Sequence, residues 1–121
     1  MESKKYNIAV EATLDVIGGK WKTVILCHLT KGKKRSCDFL NLMPHITQKM
    51  LTQQLRELER DGILRRIVYN QMPPKVEYEL TEYGWTLDGI LTALCKWGDC
   101  HLTRTYGDKF EVLQENVLTR R

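Results

Sequence analysis

Five polar residues recur at helical spacing in the stretch HITQKMLTQQLRELERDG, residues 45–62. They are Gln48, Lys49, Thr52, Gln53 and Arg56, and they lie opposite a stripe of leucines. Glutamine can pair with adenine through two hydrogen bonds, lysine and arginine favour guanine, and the threonine methyl group can pack on thymine. A merely solvated helix would favour Glu–Lys pairs near its N-terminus, whereas the acidic residues here appear only in the second half. The pattern therefore favours a helix that reads base edges in DNA.

Three further helices are predicted before this one. Apolar residues at helical spacing indicate a first helix over about residues 7–17 and a second over about residues 20–30. Ser36 has the side chain of an N-cap residue and predicts a short third helix, which Pro44 interrupts. Thr47 is the next N-cap candidate, so the polar helix begins there.

After Gly62 the pattern of apolar residues changes from helical to alternating. The segments ILRRIVYN (63–70) and KVEYEL (75–80) are rich in β-branched and aromatic residues, and they predict a β-hairpin with a proline-stiffened tip. Thr81 then caps a long final helix, predicted over about residues 82–104. Gly107 ends that helix, and residues 108–118 form a weaker helix or fray.

This order of elements is that of a winged helix-turn-helix domain. The expected fold class is α+β, mainly α, in a single domain over residues 1–121. Residues 36–80 supply the helix-turn-helix and the wing, and helices within residues 7–30 and 82–104 flank them. In such a domain the second helix of the pair lies in the major groove, which agrees with the polar face described above.

Three segments resemble the signature segments of HxlR-type transcriptional regulators, which are relatives of the MarR group. They are DVIGGKWKTVIL (15–26), ITQKMLTQQLRELERDGIL (46–64) and PPKVEYELTEYG (73–84). The resemblance covers about residues 8–102. It implies a DNA-binding homodimer in the bacterial cytoplasm, joined through the first and last helices. It also implies a recognition helix that starts near Thr47 and a wing tip at residues 70–75.

Two further sets of residues follow from these interpretations. Phosphate and wing contacts with double-stranded DNA are expected from Lys33, Lys34, Arg35, Asn70, Gln71 and Lys75. The final helix carries an apolar stripe too long for so small a domain to cover alone, and the first helix adds a shorter one. The predicted dimer interface is Val10, Leu14, Ile17, Leu87, Ile90, Leu91, Leu94 and Trp97.

Composition restricts the other classes of function. The net charge of +4 permits a polyanionic partner without establishing one. No apolar run approaches the roughly 20 residues that span a bilayer, and the first residues lack a signal-peptide core, so we expect no membrane partner and a cytoplasmic location. No acid–base or nucleophile constellation indicates an enzyme, and the spacing of cysteine and histidine predicts neither a metal site nor a cofactor.

Regulation is the least determined property. Many relatives carry a Cys-Pro pair where this chain has Ile8 and Ala9, which excludes redox sensing by the usual cysteine. Cys37 instead follows three cations at the start of the third helix, where a thiolate is favoured, so it is either a redox sensor or a passive thiol. Regulation by a small-molecule effector is the alternative to redox regulation. By family analogy the default activity is repression at a two-fold operator. The alternative is a winged-helix module for protein–protein assembly that does not bind DNA.

Overall fold

The computed structural model describes residues 5–108, 112 and 113. Its elements are α1 (Ala9–Ile17), α2 (Lys22–Leu29), α3 (Ser36–Leu42), α4 (Gln48–Arg60), β1 (Leu64–Tyr69), β2 (Lys75–Leu80), α5 (Glu82–Trp85) and α6 (Asp88–Tyr106). The chain forms two compact units, residues 1–88 and 89–121. The first unit contains every element of a winged helix-turn-helix, so the predicted mainly helical fold with a two-stranded antiparallel sheet is confirmed.

The core of the first unit is apolar. Its fully buried side chains come from α2, α3, α4 and the base of the hairpin: Ile25, Leu26, Leu29, Phe39, Leu51, Leu55, Leu58, Ile63 and Leu64. Burial of each such side chain stabilises the fold by roughly 1.5–3 kcal/mol relative to exposure. The leucines of α4 are therefore committed to the core, and the opposite face of this helix is left for solvent or a ligand.

Local signals fix both ends of α4. The Thr47 side chain accepts a hydrogen bond of 3.1 Å from the backbone N–H of Met50, which confirms Thr47 as the N-cap. Gly62 has a φ of +76°, and its N–H donates to the Glu59 carbonyl oxygen. A left-handed residue after the last turn is a common helix end, and glycine adopts it without strain. The predicted limits of this helix are thus correct.

The hairpin is extended by one residue from the connector between α2 and α3. In the register of β1 and β2, Arg66 lies opposite Tyr78 and Arg65 opposite Glu79. The backbone of Lys34 pairs with that of Tyr78 through two hydrogen bonds of 2.8 and 3.0 Å. The connector between α2 and α3 therefore lies along β2 at Lys34.

The boundaries of three helices differ from the prediction. The first helix, α1, begins at Ala9, later than predicted. The second, α2, spans Lys22–Leu29 and is shorter than predicted at both ends. Ser36 is not an N-cap, since it is already the first helical residue and Arg35 occupies the cap position. The Asp38 carboxylate accepts a hydrogen bond of 2.8 Å from the Arg35 N–H and closes the start of α3.

The predicted final helix is divided into two helices. Thr81 does act as an N-cap, but of the four-residue α5, where its hydroxyl oxygen accepts from the N–H of Gly84 at 2.9 Å. A separate helix, α6, begins at Asp88. A Cβ atom on Gly84 would lie only 2.0 Å from the Ile63 carbonyl oxygen, so a larger residue would not fit this contact. The weaker helix predicted over residues 108–118 falls largely outside the described residues.

The residues predicted to form a dimer interface differ in exposure. Six of them are at least partly accessible: Val10, Leu14, Leu87, Ile90, Leu94 and Trp97. In contrast, Ile17 and Leu91 are 4% and 3% exposed. These two side chains are covered within the single chain, so the exposed part of the predicted interface is made by the other six. Among the described residues, no helix is long and apolar enough to cross a membrane.

Candidate nucleic-acid interface

The outward face of α4 carries all five polar residues that were predicted to contact base edges. Gln48, Lys49, Gln53 and Arg56 are exposed, and Thr52 is half-buried beside them. The amide nitrogen of Gln48 lies 3.1 Å from the hydroxyl oxygen of Thr52, one helical turn away. The face therefore presents hydrogen-bond donors and acceptors over more than a full turn, as a helix in the major groove must.

A buried lysine from α2 is linked to this face. Lys22 is 7% exposed, and its Nζ lies 2.6 Å from Oε1 of Glu57 on α4. The second oxygen of Glu57 accepts a hydrogen bond of 3.2 Å from Nε2 of Gln53. The bond from Lys22, and to a smaller extent the bond from Gln53, lowers the pKa of Glu57 below its ordinary value. The carboxylate is therefore ionised at neutral pH. Nothing in the sequence indicated this arrangement.

A groove of about 440 Å³ lies between α4 and the hairpin. Its lining residues are Thr52, Arg56, Glu59, Arg66 and Tyr78. Two guanidinium groups against one carboxylate favour an anionic ligand, and a guanidinium matches phosphate oxygens in a two-point geometry. Arg66 and Tyr78 were not predicted as site residues. The alternation of the strands contained the signal, because both residues fall on the same hairpin face as the buried Leu64 and Leu80.

The predicted cations of the wing region have acidic partners. Lys33 lies 3.8 Å from Glu79, whose other oxygen pairs with Arg65 at 2.8 Å. Lys75 lies 3.8 Å from Glu77 and also stands 5.0 Å from the centre of the Tyr69 ring. These pairs are on the hairpin face away from the groove. The hairpin thus holds part of its positive charge in internal ion pairs.

The remaining predicted contacts are exposed or close to the surface. Nζ of Lys34 donates to the Gly32 carbonyl oxygen at 3.1 Å, and Arg35 is exposed at the start of α3. Asn70 and Gln71 are exposed at the hairpin tip. The structure therefore places α4, the α2–α3 connector and the hairpin in one unit, with the groove between α4 and the hairpin.

Comparisons with known proteins agree with this arrangement. The model of the HxlR-like helix-turn-helix family matches residues 16–106. The chain belongs to this family. The HTH-type transcriptional regulator YtcD of Bacillus subtilis (strain 168) is 72% identical over 118 residues, which span 98% of this chain and 94% of the relative. Family membership makes the chain a transcriptional regulator of the helix-turn-helix type, as the resemblance in its sequence predicted.

Solved structures of other transcriptional regulators share the fold. A crystal structure of ytcD, 69% identical, has a TM-score of 0.76 over 79% of this chain and 98% of that one. The redox regulator HypR in its oxidized form, 57% identical, has a TM-score of 0.75 over 77% of this chain and 96% of that one. A MarR-family regulator from Enterococcus faecalis V583 is 35% identical with a TM-score of 0.71, covering 87% and 96% of the two chains.

The structure also places Cys37, which the sequence leaves as either a redox sensor or a passive thiol. Cys37 is exposed in the first turn of α3, one residue before the capping Asp38. Of the other three cysteines, Cys27 is half-buried and the two on α6 are exposed. Among the described residues, no cluster of His, Cys, Asp and Glu has the geometry of a metal site.

Proposed function

We propose that this protein is a sequence-specific DNA-binding regulator that acts in the bacterial cytoplasm as a homodimeric repressor. The observation that carries the proposal is the composition of the exposed face of α4. Its N-terminal half presents amides, a hydroxyl and the ammonium group of Lys49, whereas Arg56 and the acidic residues lie in the second half. This is the composition expected of a helix that contacts base edges from its N-terminal part.

In this proposal α4 enters the major groove and reads bases through Gln48, Lys49, Gln53 and Arg56. The groove between α4 and the hairpin then receives the phosphate backbone, with Arg66 as the main additional cation. Lys33, Lys34, Arg35 and Lys75, with the hairpin tip, supply further backbone contacts. The base contacts determine sequence specificity, and the backbone contacts fix the position of the protein on the duplex.

Dimerisation is supported by exposed apolar side chains within each unit. On α1, Val10 and Leu14 are 51% and 58% exposed, and on α6, Leu94 and Trp97 are 49% and 70% exposed. Large exposed apolar residues at helical spacing are characteristic of a contact surface. A two-fold dimer would present two copies of α4 to half-sites separated by whole helical turns. A Kd for self-association far above the micromolar range, measured by sedimentation, would contradict this part of the proposal.

The alternative, a winged-helix module for protein assembly, requires an apolar or acidic outer face on α4. The observed face is polar and carries Lys49 and Arg56 in an exposed position. The first test is a gel shift with the DNA upstream of the gene, followed by selection from randomised duplexes. Lys49→Ala and Gln53→Ala should each weaken operator binding by roughly 1–3 kcal/mol, whereas Lys31→Ala, an exposed cation outside the proposed interface, serves as the control. Wild-type binding by both α4 variants would refute the assignment of α4.

Repression is tested separately from binding. A reporter driven by the selected operator should be transcribed less when wild-type protein is present, and the Gln53→Ala variant should relieve this effect. Increased transcription would show that the protein binds DNA as proposed but activates its target.

A further inference from the structure

We propose that Lys22 and Glu57 are positioning residues that fix the amide of Gln53 for reading adenine. The role rests on the proposed function, because it assumes that α4 reads bases. Gln53 is the exposed end of a chain of two contacts that begins at the buried Lys22 and passes through Glu57. Among the described residues, no other exposed polar residue of α4 is linked in this way to a charged side chain of another helix.

The chemistry of Glu57 determines the orientation of Gln53. An ionised carboxylate can only accept hydrogen bonds, so the side of the Gln53 amide that faces it must be the NH₂ group. The Nε2–Oε2 distance of 3.2 Å agrees with this assignment. Gln48 offers a contrast, because the hydroxyl of Thr52 can either donate or accept and therefore permits both orientations of the Gln48 amide.

Lys22 keeps Glu57 in place. Its ammonium group is 2.6 Å from Oε1, and the lysine side chain is only 9% exposed while that of Glu57 is 28% exposed. A buried ammonium group without a partner is costly, so Glu57 is held in its rotamer. The Gln53 amide is therefore ordered before DNA arrives, which reduces the conformational entropy lost on binding.

The fixed amide has a defined complement among the bases. One N–H of the Gln53 amide donates to Glu57, so the second N–H and the carbonyl oxygen of Gln53 remain available to a base. Adenine offers the matching pair in the major groove, the N7 acceptor and the N6 donor, whereas guanine offers two acceptors there. Adenine is accordingly the base that this arrangement selects.

The test compares wild type with the double variant Lys22→Met/Glu57→Gln. This variant keeps the shape of the pair and the net charge of the protein, so general attraction to DNA is unchanged. Arg60→Met/Asp61→Asn is the matched control, since it removes an exposed pair from the end of the same helix without touching Gln53. An operator selected with wild type is substituted with all four bases at each position, and the position that responds to Gln53→Ala identifies the base that Gln53 contacts.

Wild type is expected to prefer adenine at that position by roughly tenfold or more. The double variant should lose most of this preference, retain base preferences elsewhere and bind random DNA like wild type, while the control keeps all preferences. Adding Gln53→Ala to the double variant should change affinity little, because the pair acts through Gln53. A double variant that keeps the adenine preference, or a preference for another base in wild type, would overturn the inference and leave the proposed function intact. Absence of sequence-selective binding by wild type would overturn both.

Discussion

Replacement of Glu79 by glutamine is expected to strengthen binding to all DNA. Glu79 holds two cations of the wing region, Arg65 at 2.8 Å and Lys33 at 3.8 Å. The side chains of these cations are 59% and 49% exposed, so each pair contributes no more than about 1 kcal/mol to stability. Glu79→Gln keeps the shape of the side chain and should leave the fold stable. It releases both cations for phosphate contacts.

The size of the effect follows from counterion release. Each cation that neutralises a phosphate makes the slope of log K against log salt steeper by about 0.9. Release of one or both cations therefore adds about 0.9 or 1.8 to the slope. Between about 50 and 200 mM salt, the affinity of the variant should fall about 3.5-fold or 12-fold more than that of wild type.

The measurement is fluorescence anisotropy with operator and random duplexes over a series of salt concentrations. Glu82→Gln is the matched control, because it removes the same charge from an exposed position on α5. A slope for Glu79→Gln that equals that of wild type, or that of the control, would refute the reasoning. It would mean that neither Lys33 nor Arg65 reaches a phosphate.

Three further predictions concern stability and regulation. Gly84→Ala would place a Cβ atom 2.0 Å from a backbone carbonyl oxygen and should destabilise the fold by about 1–3 kcal/mol or more in urea unfolding, whereas Gly89→Ala meets nothing within 4 Å and should not. The bond to Lys22 lowers the pKa of Glu57 in the folded protein, so the pair stabilises the protein above the ordinary carboxyl pKa of about 4.3. This contribution is lost as the pH falls through the lowered pKa of Glu57. The Tm of Lys22→Met/Glu57→Gln should therefore decrease less between neutral and acidic pH than that of wild type. Diamide should weaken operator binding by wild type and not by Cys37→Ser; equal responses would exclude Cys37 as the sensor.

The elements with strong local signals were predictable from the sequence. Thr47 and Gly62 mark the ends of α4 because a hydroxyl cap and a left-handed glycine act within a few residues. The exposed face of α4 was predictable for the same reason, since helical spacing alone separates it from the buried leucines. The alternating residues of β2 likewise indicated which side chains share a face.

The division between α5 and α6 was not predictable from periodicity. Residues 82–104 continue an apolar stripe, and no proline interrupts it. The short α5 instead forms where Thr81 bonds to the carbonyl oxygen of Gly62 at 2.6 Å and Gly84 packs against Ile63. These contacts join residues distant in sequence, and tertiary contacts of this kind override local propensity.

The same limit applies to the charged residues of the interface, and it affects specificity. A sequence shows how many cations the wing has, but the hairpin register decides which of them meet an acid, as Arg65 meets Glu79. A shift of one residue would turn these side chains to the opposite face. Partial neutralisation of Lys33 and Arg65 reduces the phosphate attraction that is common to all sequences. Since a regulator must find its site among an excess of other DNA, weaker general attraction would leave a larger share of the binding free energy to the proposed base-reading residues of α4.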